Sequence, residues 1–195
     1  KLIGGETAEM PGVYSKDKAW TAPFDRRHAL NDPNNRISKD FKIPKILKRR
    51  VGFWFDIYTK YGENHHVVHH GRYPWIVFEV IDTSDIANHK TWHKWTKYHK
   101  AKAAVKARKN AIRRSLVRLS KRKSYRNLKG LDKKLYNKLA GLRGSRRAVI
   151  KKALANMRSQ LGQKDFILDG LHYSPRYLPY MEEIFKSKGL PTELT

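Results

Sequence analysis

The chain is 195 residues long, enough for one sizeable core or for a small domain with extended arms. It carries 43 Lys and Arg against 17 Asp and Glu, a formal charge of +26 and a pI near 10.3, so an anionic partner is expected: nucleic acid, anionic lipid, or the carboxylate- and phosphate-bearing bacterial wall. There is no cysteine, which excludes disulfides, thiolate metal sites and cysteine nucleophiles, and no apolar run approaches the length that crosses a bilayer.

Residues 1–43 hold Pro11, Pro23 and Pro33 among many Asn, Asp and Lys, with no sustained period. They read as an extended arm, either lying on the body through Trp20 and Phe24 or without fixed structure. The first ten residues lack the apolar segment of a signal peptide, so any such peptide is expected to have been removed already. Regular structure is expected from Pro44. Val51, Trp54, Phe55, Tyr58 and Tyr61 recur at helical spacing and predict a core-facing helix closed by Gly62.

A hairpin follows at about 67–82. Val67–His70 and Trp75–Asp82 are β-rich runs joined by Gly71-Arg72-Tyr73-Pro74, and neither face of the second run is cleanly polar. Both faces should therefore be covered at one end. His65, His66, His69 and His70 form two same-face pairs on a strand. Each pair would need ligands from elsewhere to hold zinc or nickel; the other reading is surface or half-buried histidine. Neither a metal nor another cofactor is required by the sequence.

From Ser84 or Asp85 one long helix is predicted to about Arg122, with Trp92, Trp95, His99, Val105, Ile112, Leu116 and Leu119 as its apolar seam. Lys90 through Lys129 contains sixteen Lys or Arg and no acid. Such a helix repels itself, so its surface must be balanced by a partner, by counterions or by acids elsewhere in the fold. Arg108, Arg113, Arg114, Arg118, Lys121, Arg122 and Lys123 are the candidate anion contacts. The other reading of such a run is a solvated basic face. Leu131, Leu135, Leu139 and Leu142 predict the next helix. Ser145 should cap another, with Val149, Ala153, Met157 and Leu161 on one face and Gly162 at its end. A short helix with Phe166, Ile167 and Leu171 follows.

The last stretch is the most specific. Tyr177, Leu178, Met181, Ile184 and Phe185 make one apolar stripe at helical period, with Pro179 in the first turn. Gly189 is placed to end that helix in the left-handed conformation, and Pro191 to open another with Glu193 in its first turn. Glu182 and Glu183 diverge by about 100 degrees around the helix and cannot converge as an acid/base pair. No phosphate loop, zincin pattern or nucleophile elbow occurs.

The segment RYLPYMEEIFKSKGLPTEL resembles the opening of the catalytic domain of lytic murein transglycosylases, most of all their membrane-bound D group. Arg176, Tyr177, Leu178, Pro179, Glu182, Glu183, Ile184, Phe185, Gly189, Leu190, Pro191, Glu193 and Leu194 match. Residues 50–61, 72–82 and 160–174 resemble, more loosely, the region some of these enzymes carry upstream. The resemblance implies a glycan lyase in which one Glu protonates the glycosidic oxygen of peptidoglycan and a 1,6-anhydro product forms without water. That Glu would lie shortly after Thr195, so the chain as it stands is expected to be inactive.

The expected architecture is therefore mainly α. A basic helical domain with one small β-hairpin spans 44–160, and the start of a lysozyme-like transglycosylase lobe spans 161–195. The partners implied are peptidoglycan glycan strands, a downstream catalytic domain and an anionic wall or membrane surface, in the periplasm or cell envelope. The alternative is a basic RNA-binding protein. Against it, no nucleic-acid motif is present, and Trp92 and Trp95 fall on the apolar seam instead of being interleaved for base stacking.

Overall fold

A computed structural model describes residues 39–191 and Leu194. The arm up to residue 38 and Glu193, both named above, lie outside the described residues. The chain is mainly helical with a small three-stranded antiparallel sheet. In order it forms α1 (Lys48–Thr59), β1 (His65–His70), β2 (Val77–Asp82), α2 (Ser84–Ala87) and α3 (Lys94–Lys121). There follow α4 (Gly130–Lys138), α5 (Arg146–Ala155), β3 (Met157–Leu161), α6 (Lys164–Tyr173) and α7 (Leu178–Ser187).

The centre of the sheet is β1. It pairs with β2 (Val67 opposite Val80, Val68 opposite Glu79) and with β3 (Val68 opposite Ser159, His70 opposite Met157), with an irregularity between Val68 and His69. Successive side chains of a strand point to opposite faces, and here both faces are covered, as the hairpin pattern predicts. Val67 joins Phe53 and Ile57 of α1 in one small core. Val68 joins the main core with Phe78, Ile112, Leu116, Leu119, Leu135, Leu139, Val149 and Ile150. Ile112, Leu116 and Leu119 are wholly buried, each stabilising the fold by about 1.5–3 kcal/mol relative to exposure.

Four helical expectations are corrected. α1 buries Gly52, Phe53 and Ile57, so its inward face is rotated from the predicted one. Trp54 and Tyr58 remain about 40% exposed, stacked on each other with centroids 6.0 Å apart. The long helix is two pieces: α2 is a single turn, and the chain breaks before His93, an extended residue, starts α3. A ring stack of His89 on Trp92, 3.6 Å apart, sits within that break. The α4 helix stops at Lys138, leaving Leu142 in the following loop. Finally, α5 stops at Ala155, and Met157–Leu161 is strand where helical periodicity placed a helix face. The cause is tertiary: MRSQL has no strong preference of its own, and β1 offers it an open edge. Asn156 closes α5 through its backbone N–H and its side-chain amide, both donating to the Lys152 carbonyl, and its own carbonyl accepts from Gly71 at 2.7 Å.

Two of the glycines expected as helix ends, Gly62 and Gly162, do something else. They mark a backbone crossing at which the chain leaving β3 passes the end of α1. Gln163 N–H donates to the Ile57 carbonyl and Lys164 N–H to that of Tyr61, each at 2.9 Å. A Cβ on Gly162 would lie 2.3 Å from the carbonyl oxygens of Tyr61 and Gly62. Backbone atoms cannot swing away, so Gly162→Ala should destabilise the protein by roughly 1–3 kcal/mol in urea unfolding. Gly170→Ala is the control. It meets nothing within 4 Å and sits in α6, so it should be neutral or stabilise by up to about 1 kcal/mol.

Candidate functional site

The α3 helix presents the cationic face. Its inner stripe of Val105, Ile112, Ser115, Leu116 and Leu119 is buried against the core, which by helical geometry sends Arg113 and Arg114 to solvent. The acids missing from its own sequence come from two other elements. Arg108 pairs with Glu79 of β2, and Arg118 pairs with Asp132 of α4 at 2.6 Å, where Ser115 Oγ also donates. Burial opposes ionisation of Asp132, but the hydrogen bonds from Arg118 and Ser115 outweigh it and hold the carboxyl below its ordinary range.

The seven candidate contacts therefore divide. Arg108 and Arg118 are committed to internal ion pairs, and Arg122 Nε donates to the Ser124 carbonyl at 3.3 Å. Arg113, Arg114, Lys121 and Lys123 are exposed and make no salt bridge among the described residues. Four like charges on one surface raise the local positive potential.

The first turns of α3 depart from the expected seam. Trp95 is 72% exposed and Tyr98 is 55% exposed, their rings stacked with centroids 6.1 Å apart. Lys102 lies over the Tyr98 ring, and Lys100 lies 4.4 Å from the centroid of Trp92. This end of the helix is thus an aromatic and cationic platform, not core. The objection to nucleic acid drawn from a buried Trp95 no longer stands.

The histidines fall on both sides of the sheet. His65 and His69 face α1, where His69 packs on Phe53 at 4.7 Å. His66 and His70 share the side of the main core, with His70 6.5 Å from the ring of Phe78. Among the described residues no three His, Asp or Glu side chains converge on one point. His70 Nδ1 accepts from the backbone N–H of Arg72 at 3.1 Å and of Tyr73 at 3.3 Å, which places the ring proton on Nε2. Burial lowers the pKa of His66, His69 and His70, with Lys109, Arg158 and Arg72 respectively adding to it.

The C-terminal helices form as the residue pattern predicts. Pro179 lies in the first turn of α7, and Gly189 has φ +68°. Leu190 N–H reaches the Phe185 carbonyl at 2.9 Å and Gly189 N–H that of Lys186 at 3.0 Å, the paired closure that a left-handed glycine allows. Glu182 pairs with Lys186 at 3.7 Å. Arg176 and Pro191 flank this helix, Arg176 exposed and Pro191 partly covered. Neither α6 nor α7 buries a residue, and Tyr177, Tyr180, Met181 and Ile184 lie open to solvent.

Residue patterns gave no signal for one further feature. A concavity of about 770 Å³ opens between the turn after β1 and the loop joining α4 to α5. Arg49, Arg72, Lys138, Arg143 and Lys152 line it, from five separate parts of the chain. The isolated cations look ordinary in sequence; only the approach of hairpin and helices gathers them. No described helix is long and apolar enough to cross a membrane.

Two tests follow from this geometry. Asp132→Asn removes the anchor of Arg118 and should cost about 1–2 kcal/mol in denaturant melts, the lower part of the charged hydrogen-bond range because Arg118 is largely exposed. Arg113→Gln with Arg114→Gln should change stability by no more than about 0.5 kcal/mol. The second test is pH. The unfolded chain binds more protons at His66, His69 and His70 than the folded chain does, so stability rises with pH. It should be complete above about pH 6.5 and fall progressively below that. His70→Asn, whose Oδ1 can accept the same two N–H bonds without titrating, should flatten part of that slope in pH-dependent urea midpoints.

No family model, no curated protein and no solved structure matches this chain.

Proposed function

We propose that this chain is the wall-docking region of a peptidoglycan lytic transglycosylase, working at the bacterial cell envelope. The observation that carries the reading is the exposed cationic face of α3, ending in the Trp95–Tyr98 platform, on the same chain as the RYLP…GLP segment. Peptide stems and wall polymers present carboxylates and phosphates to Arg113, Arg114, Lys121 and Lys123. Aromatic faces offer sugar rings an apolar surface. The α6–α7 pair, with its unpacked Tyr177, Met181 and Ile184, fits the start of a helical lobe that a catalytic domain would complete.

The catalytic acid implied by the resemblance would follow the last residue of this chain. Asp82 and Asp132 are poor substitutes: hydrogen bonding from Ser84 lowers the first, and Arg118 and Ser115 hold the second ionised. A general acid needs the opposite, a carboxyl kept protonated near neutral pH.

RNA binding is the second reading, and exposed Trp95 beside lysines is what favours it. Co-sedimentation with purified sacculi and titration with single-stranded RNA, each across a salt series, separate the two. The expected result is retention on sacculi, weakened by Arg113→Gln with Arg114→Gln and by rising salt. Tighter binding to RNA than to sacculi at equal ionic strength, abolished by Trp95→Ala, would reverse the order of the readings. The 195-residue chain should release no anhydro-muropeptides from sacculi, because general-acid assistance contributes about 10²–10⁴-fold and neither Asp82 nor Asp132 is set to give it. Anhydro products from this chain alone would overturn the placing of the catalytic acid outside it.

A further inference from the structure

The concavity beside the hairpin turn is a second and separate place for an anion. Its volume of about 770 Å³ falls within the range of small-molecule sites. Among the described residues five cations line it, and no carboxylate does. None of the five makes a salt bridge among the described residues, although the same fold pairs Arg108 and Arg118 with acids. Positive charges gathered around one recess repel one another, and low-dielectric walls focus their field into it. The repulsion is relieved when an anion enters.

Two of the cations are also held in place. Arg49 lies over the ring of Trp75, 5.9 Å from its centroid, and Arg72 over that of Tyr73 at 5.8 Å. A guanidinium stacked by its face keeps its N–H edges free for an oxyanion. The turn that carries Arg72 and Tyr73 is itself fixed by their backbone N–H bonds to His70 Nδ1. The remaining ring nitrogen of His70, a lining residue, is then a neutral N–H donor. Ile76 and Val149 supply an apolar patch among these groups.

We propose that this recess binds a compact polyanion, a molecule bearing two or more carboxylate or phosphate groups, independently of the wall-facing surface of α3. The oxyanions sit against Arg49, Arg72, Lys138, Arg143 and Lys152, and the carbon body against Trp75 and Tyr73. Five cations exceed what a single monoanion needs, which is why more than one anionic group is assigned.

Calorimetric titration of the whole chain with pyrophosphate and with tricarballylate, at one ionic strength, tests this. Binding by at least one probe, with about one site per chain, is expected. Tighter binding of the first probe would mark a phosphate ligand and of the second a carboxylate. Arg143→Gln with Lys152→Gln should weaken binding by about tenfold or more, the scale of losing charge-assisted hydrogen bonds. Both positions are exposed, so folding should be retained. Arg113→Gln with Arg114→Gln removes the same charge from α3 and should leave probe binding within about twofold, since that pair is exposed elsewhere. Equal loss in both double variants would show only diffuse attraction to a basic protein and overturn the site. No heat with either probe would do the same. Sacculus retention by the Arg143/Lys152 variant reads the wall-docking proposal separately, so either can fail alone.

Discussion

The structure depends on one strand that is buried on both faces. In β1, Val67 is sealed against α1 and Val68 against the bundle formed by α3, α4 and α5. A single strand thereby joins two cores that would otherwise have no common wall. The chain must also return to β1 a second time, as β3, because an unpaired edge would leave its backbone groups without partners. The crossing at Gly62 and Gly162 is a consequence of that return: the segment leaving β3 must pass within backbone contact of the end of α1. The histidines on β1 belong to the same arrangement. Burial lowers the pKa of His66, His69 and His70, and His70 accepts from the Arg72 and Tyr73 N–H groups of the turn.

Charge is the second constraint. A helix as basic as α3 can pack only where opposite charge or an apolar stripe compensates. The fold supplies two carboxylates, from β2 and α4, at the positions where the helix touches them. Two groups of the other cations are set apart by geometry. Arg113, Arg114, Lys121 and Lys123 stand exposed along α3 and just past its end. Arg49, Arg72, Lys138, Arg143 and Lys152 converge on a recess suited to a small molecule. An exposed face and a recess of the same sign recognise anions of different shape.

Much of this was readable from the residues alone, for identifiable reasons. The helix through Ile112, Leu116 and Leu119 was legible because apolar spacing dominates any long amphipathic helix. So were the Ser145 cap, whose Oγ accepts from Ala148 N–H at 3.4 Å, and the Gly189 stop, because caps are local hydrogen-bonding events. The hairpin was legible from β-branched runs around a Gly-Pro turn. What failed failed locally. Periodicity carried Met157 and Leu161 on as helix because positions i and i+4 look alike whether or not the helix continues. It placed Trp95 in the seam because aromatic residues resemble core wherever they fall at the right spacing.

The sequence by itself determined the mainly helical class, the cationic character, the absence of thiol chemistry and the boundaries that rest on caps. All of these follow from composition or from interactions spanning a few residues. Tertiary structure alone decided the third strand, which aromatic residues of α1 and α3 face water, which arginines are spent on internal acids, and the recess of five cations. Each of these depends on segments tens of residues apart meeting in space. A one-dimensional pattern carries no record of which residues will share a wall.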